Sequence, residues 1–221
     1  MSLTKIFINK GKTLLNLENY LKSEIGTGGY SGINIQRTPL STRIVLYVER
    51  PPLVIGRSGT RISELTENIQ EKFGIDDPAI DVQSVKDPYL DAQIMAFEIA
   101  TAIEKGENPR RIAKRALESI ISHGAVGAQV QLSGKLVGKG ERGRTEKFYK
   151  GYMKKSGFPL NSVNVGKAQA KLKQGIIGVE VRILQPNISF PDQIKIKQAV
   201  SQTSTQSTNS QQNKNGNMES K

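Results

Sequence analysis

The chain has 221 residues, of which 36% are apolar, with 32 Lys and Arg against 20 Asp and Glu, no Cys and a single histidine, His123. That length allows two domains with cores of ordinary size, and the missing cysteines and histidines exclude disulfides, thiolate catalysis, cysteine zinc sites and any histidine cluster. No 18 apolar residues run together and the first ten carry Lys5 and Lys10 without a signal-type apolar stretch, so a soluble intracellular protein with no membrane partner is expected.

The net charge of +12 is unevenly spread. Residues 1–100 hold 11 basic and 12 acidic side chains, residues 101–184 hold 17 and 6, and residues 185–221 hold 4 and 2. An excess of 11 positive charges in the second third points to a polyanion, and nucleic acid is the expected partner.

In chain order, Leu14, Leu17, Leu21 and Ile25 recur at helical spacing, with Leu15 widening the stripe. Ile33 and Ile35 alternate with polar neighbours, and a β-branched run follows at 44–48, which predicts two strands. Pro51 and Pro52 open a short helical turn that stops at Gly56. Beyond Gly59, Ile62, Leu65, Ile69 and Phe73 form the apolar stripe of a second long helix, and residues 79–85 read as a third strand. Gly56 and Gly59 thus bracket a two-residue tip, Arg57 and Ser58, between an apolar turn and a helix. Without Cβ atoms at either end, the main chain can approach a sugar-phosphate backbone, and the amides of the next helix face it.

Residues 88–105 read as a helix closing a first domain. Asn108 caps a further helix with Pro109 in its first position, running to about Ser122. By helical projection Arg110, Arg111, Lys114 and Arg115 share one arc of it, with Ile112, Ala113, Ala116, Leu117 and Ile120 opposite. Val126, Ala128, Val130 and Leu132 then alternate as a half-buried strand. A glycine-rich loop carrying Lys139, Arg142 and Arg144 follows, and Phe148 and Tyr152 are interleaved with Lys147, Lys150, Lys154 and Lys155. Such interleaving suits base stacking, but core packing is the commoner use of those rings. The apolar phase changes from Val163 and Val165 to Ala168 and Ala170 across Gly166, as a β-bulge would produce. A last strand carries Ile177, Val179, Val181 and Ile183. From Ser201 onward the chain is mostly Ser, Thr, Gln and Asn, and a disordered tail is expected.

Catalytic motifs fail on their residues. Gly26-Thr27-Gly28 has Ser31 where a dinucleotide fingerprint needs glycine, and Gly134-Lys135 precedes Leu136 where a P-loop needs Ser or Thr. His123 sits beside a helix-ending glycine, which suits a cap or surface role.

The order helix, strand, strand, short helix, GXXG, helix, strand resembles the type II KH domain, whose GXXG loop clamps backbone nucleotides. Tyr30-Ser31-Gly32, Val54-Ile55-Gly56-Arg57-Ser58-Gly59-Thr60-Arg61-Ile62 and Asp91-Ala92-Gln93 resemble the S-three family of small-subunit ribosomal proteins. So do 124–136, Arg144-Thr145-Glu146 and 175–182 in the second half. The archaeal branch is the expected one, because the chain begins almost directly with the KH helix.

The resemblance implies an α+β chain of three parts: a KH domain with its closing helix at 1–105, a basic α/β domain at 106–185 and a flexible tail at 186–221. It implies a structural role in the subunit head, with contacts to small-subunit (16S-type) ribosomal RNA, neighbouring head proteins and messenger RNA at the entry channel, and no cofactor, metal or catalytic residue. The expected RNA-binding residues are Gly56, Arg57, Ser58, Gly59 and Arg61 at the loop, Arg110, Arg111, Lys114 and Arg115 on the helix, and Lys139, Arg142, Arg144 and Lys147 beyond it. The family's entry-channel residues carry over at Arg110, Arg111 and Lys114. Two alternatives remain: a lyase forming a Schiff base from lysine to an abasic DNA sugar, and a free-standing KH regulator of messenger RNA.

Overall fold

The computed structural model describes residues 3–26, 29–38, 41–75, 78–136 and 142–186; the expected tail beyond them lies outside the described residues. The first half runs α1 (Leu3–Ile25), β1 (Tyr30–Arg37), β2 (Thr42–Val48), α2 (Pro51–Ile55), α3 (Thr60–Phe73) and β3 (Pro78–Ser84). Its sheet has the order β1-β2-β3, antiparallel between β1 and β2 and parallel between β2 and β3. This is the type II KH order. Leu17, Leu21 and Ile25 of α1 and Leu65 and Ile69 of α3 pack with Ile44, Leu46 and Val48 of β2 into one core. Leu14 and Leu15 do not join it. Leu14 is 37% and Leu15 58% exposed, and Phe7 and Ile8 further toward the start of α1 are exposed as well.

Tyr30 is the one misfit of this core. Its ring is buried, its hydroxyl has no hydrogen-bond partner among the described residues, and burial followed by the nearby Glu18 carboxylate pushes the phenol well above its ordinary range. An unmade buried hydrogen bond costs about 1–3 kcal/mol. Tyr30→Phe is therefore expected to raise the urea midpoint, by the equivalent of about 1 kcal/mol; a lowered midpoint would mean that the hydroxyl finds a partner in solution.

The second half runs α4 (Ala92–Glu104), α5 (Pro109–Ser122), β4 (Gly127–Gly134), β5 (Arg144–Gly151), β6 (Val163–Leu172) and β7 (Gly175–Leu184), in a sheet of order β5-β4-β7-β6 with every neighbour antiparallel. Helices α4 and α5 cover one side, where Ala128, Val130, Leu132, Ala168, Ala170, Ile177, Val179, Val181 and Ile183 meet Met95, Ile99, Ile103, Ile112, Leu117 and Ile120. Helix α4, expected to close the first domain, gives most of its apolar surface to this second core, and Phe97 packs against both. Residues 88–90 form a separate 3-10 turn before it. The break falls at Asp91, whose extended backbone and side chain cap α4 by accepting from the amides of Gln93 at 2.8 Å and Ile94 at 3.3 Å. Its other carboxylate oxygen accepts from the Ser31 hydroxyl. The β1 register slips by one between Tyr30 and Gly32, so the bulged Ser31 is re-aimed at that cap. Two motifs 60 residues apart are thereby joined.

The bulge expected near Gly166 is absent. Strands β6 and β7 pair without a register shift from Val163 opposite Leu184 to Leu172 opposite Gly175. The change of phase arises because the strand is covered on both sides at different points. Ala168 and Ala170 face the helices. Val163 faces the outer side, where the β5–β6 connection crosses the sheet end: a Cβ on Gly127 would lie 2.6 Å from the Tyr152 carbonyl carbon and closer still to its oxygen. Strand β5 itself was not foreseen. Phe148 packs toward the core while Tyr149 and Lys147 point outward, an alternation that was legible in the residues but hidden by the dense lysines around it.

Candidate nucleic-acid interface

At the KH loop, α2 stops because Gly56 takes φ 76° and ψ −177°, and α3 starts after Gly59 at φ 78° and ψ 7°. Only glycine adopts such angles freely, and a Cβ at Gly56 would also meet the Arg61 side chain at 2.8 Å. Between them Ser58 has φ 53°, the one positive φ at a non-glycine among the described residues. Arg57 and Ser58 are both exposed. Gly59 caps α3 without a side chain, so no side-chain acceptor occupies the first-turn amides, and the positive end of a 14-residue helix faces out beside Arg57.

Arg61 has a different occupation. Its guanidinium donates to the Leu53 carbonyl at 2.9 Å and the Glu24 carbonyl at 3.0 Å, tying the end of α1 to α2 and the loop. It holds the loop in place and has less freedom to meet RNA than Arg57 has.

On α5, Asn108 accepts from the Arg110 amide at 3.0 Å, and Pro109 occupies the first turn. Ile112, Ala113, Ala116, Leu117 and Ile120 are buried, while Arg110, Arg111, Lys114 and Arg115 are exposed. Glu118 of the same helix lies beside Lys114 in the cleft against β5, and acidic partners also reach the basic arc from outside the helix. Arg110 forks onto Glu146 of β5, with Nε contacts of 2.8 and 3.1 Å and a further bond from Nη2, and Arg115 pairs with Glu107 at 3.1 Å. The hydrogen bond to Arg110 holds the Glu146 carboxyl below its ordinary range, and Glu146 raises Arg110 in return. Arg111 and Lys114 make no ion pair among the described residues. Arg142 and Arg144 are exposed at the start of β5, and Lys139 lies outside the described residues. A shallow cleft between α5 and β5 is lined by Lys114, Leu117, Glu118, Lys147, Phe148, Tyr149 and Lys150.

The model of the KH domain matches residues 16–89, and that of the ribosomal protein S3 C-terminal domain matches residues 99–183. The Small ribosomal subunit protein uS3 of Methanocaldococcus jannaschii is 44% identical over 195 residues, 88% of this chain and 93% of that one. The chain belongs to the ribosomal protein S3 family. Its namesakes from Methanococcus aeolicus and Methanococcus maripaludis are 41% and 39% identical, over 91% and 87% of this chain and 97% and 90% of theirs.

Membership makes the chain a structural, RNA-binding protein of the small ribosomal subunit rather than an enzyme. No described helix is long and apolar enough to cross a membrane. His123 ends α5, with Nδ1 2.7 Å from the Ser119 carbonyl and its ring stacked on Tyr89 at 4.0 Å. The Glu146 and Glu107 pairings and the anchoring of Arg61 were missed because each joins residues 8 to 37 positions apart. Only the tertiary fold brings them together.

Proposed function

We propose that this S3-family chain binds ribosomal RNA in the head of the cytoplasmic small subunit, through its KH loop and the basic surface of its second domain, and that α5 lines the messenger entry channel. It works as a KH domain and a basic domain meeting at α4. The observation that carries this reading is the division of α5, five apolar positions buried on one side and four cations exposed on the other. Arg111 and Lys114 are the cations ready to hold the phosphates of a strand released as a duplex frays. Arg110 is steered by Glu146 and shapes the patch. Strand capture of this kind consumes no nucleotide.

The test is a subunit carrying Arg110→Ala, Arg111→Ala and Lys114→Ala together. All three side chains are exposed, so assembly and translation of an unstructured message are expected to stay near parental rates. Translation through a stable hairpin should slow by about tenfold, the equivalent of 1.4 kcal/mol across the patch. An unchanged ratio of hairpin to linear rates would make α5 an ordinary ribosomal-RNA contact or a solvated face.

A further inference from the structure

The four-stranded sheet has a second side that neither α4 nor α5 covers. Residues alternate along each strand, so the side facing away from the helices carries Tyr149 and Lys147 of β5, Gln129 and Gln131 of β4, Glu180 and Arg182 of β7, and Val165, Lys167, Gln169 and Lys171 of β6. The strand registers set them in rows: Tyr149, Gln129, Arg182 and Val165 in one, Lys147, Gln131, Glu180 and Lys167 in the next. The β5–β6 connection passes close to Gly127 at one end of this side, and Gln129 beside it is buried. Tyr149 is 76% exposed and Val165 44% exposed, a large ring and an aliphatic side chain turned toward solvent at opposite margins of a polar surface.

The charge of this surface selects its occupant. Glu180 is consumed by Arg182, with bonds of 2.7 and 2.8 Å. Lys147, Lys167 and Lys171 remain exposed and make no ion pair among the described residues, and the Lys155 ammonium lies 5.9 Å from the Tyr149 ring centre. The residues from 187 to the end have four Lys against one Asp and one Glu, so they share the sign of this face. An anionic partner with flat apolar surfaces meets both requirements. Unpaired RNA has phosphates for the lysines and bases for the ring, and the side-chain amides of the half-buried Gln131 and the exposed Gln169 supply donors and acceptors for base edges.

We propose that the outer face of this sheet is a second RNA surface, on which an unpaired stretch of RNA stacks a base on Tyr149 and places its phosphates along Lys147, Lys167 and Lys171. It extends the RNA-binding reading to the side of the sheet that α4 and α5 do not pack against, with Lys147 and Tyr149 at the margin nearest α5, and it does not depend on the entry-channel assignment.

The chain has no tryptophan, so Tyr149→Trp in the full-length protein makes the proposed contact its own reporter. A 12-nucleotide oligouridine RNA is expected to quench that fluorescence, whereas heparin, a polyanion without bases, should bind without matching quench. Tyr149→Ala should weaken oligouridine binding by about fivefold or more, the range found when a stacking ring is removed, and Tyr149→Phe should restore it. Changing Lys147, Lys167 and Lys171 to Gln should flatten the salt dependence by about 2 in log-log slope. The side chains are exposed, so melting temperatures should stay parental. The Arg111→Ala, Lys114→Ala variant should keep the tryptophan quench, which separates failure of this proposal from failure of the α5 reading. Equal quenching by heparin, or parental affinity of Tyr149→Ala, would overturn the stacking assignment. Parental RNA affinity combined with loss of subunit incorporation would give the face to a protein partner instead.

Discussion

Gly166→Ala is expected to lower the melting temperature of the chain by at least about 10 °C, the equivalent of roughly 4 kcal/mol for a protein of this size. The reason is space. Gly166 lies in β6 on the side that faces α4, and a methyl there would sit 2.5 Å from the Gln93 nitrogen and closer still to the Ala92 carbonyl. Those are main-chain atoms of the first turn of α4, so no rotamer change relieves the overlap. Nor can α4 slide. The Gln93 amide donates to the Lys167 carbonyl at 2.9 Å and accepts from the Lys167 amide at 3.1 Å, and the Glu104 carboxylate accepts from the Lys171 amide at 2.9 Å. Side chains at both ends of α4 thus satisfy the free edge of β6, which would otherwise invite pairing with another chain. Lifting the helix breaks these bonds and opens both cores at Phe97. Gly32→Ala is the control: nothing lies within 4 Å of its Cβ and its φ is not positive, so its melting temperature should move by only a few degrees. A circular-dichroism melt distinguishes the two, and a Gly166→Ala protein melting within 2 °C of the parent would show that the close approach is dispensable.

The element order was legible because most elements carry their own periodicity. The buried and exposed positions of α5 follow from one projection of its residues, and its cap from Asn108 and Pro109. Strand β5 escaped because Phe148 is the one side chain of it that packs on the described core, and Lys147 and Lys150 stand close to it in the chain. The apolar positions of α1 read as one stripe, yet only Leu17, Leu21 and Ile25 are buried. Periodicity tells which face is apolar and not how far along a helix a neighbour extends. At Val163 and Ala168 the pattern matches that of a β-bulge, whereas the strand pairs without a register shift and its two faces are covered in turn. The candidate site divides along the same line. Gly56 and Gly59 declare themselves because their backbone angles demand glycine. The commitments of Arg61 and Arg110 do not, because a guanidinium reads as free charge until the carbonyl or carboxylate that holds it is brought alongside by the fold.

Replacing Arg57 and Ser58 together by aspartate is expected to weaken RNA binding by at least about tenfold while leaving the melting temperature unchanged or slightly raised. The exchange moves the loop by three charge units toward negative. At contact distance each unit is worth about 1 kcal/mol against a phosphate even in bulk water, so screening by salt still leaves a tenfold loss. The backbone should tolerate the change. Ser58 already sits at φ 53°, a conformation that aspartate adopts more readily than most residues, and both side chains are exposed. Carboxylates beside the first turn of α3 also complement its dipole, which favours the folded helix. Binding and stability are thus expected to move in opposite directions, which a mutation that merely damages the loop would not produce. Gel-shift titration against ribosomal RNA, with a thermal melt of the same preparation, measures both. Parental affinity in the folded variant would mean that the loop meets solvent or protein in the subunit, and that the RNA contacts of this chain lie wholly in its second domain.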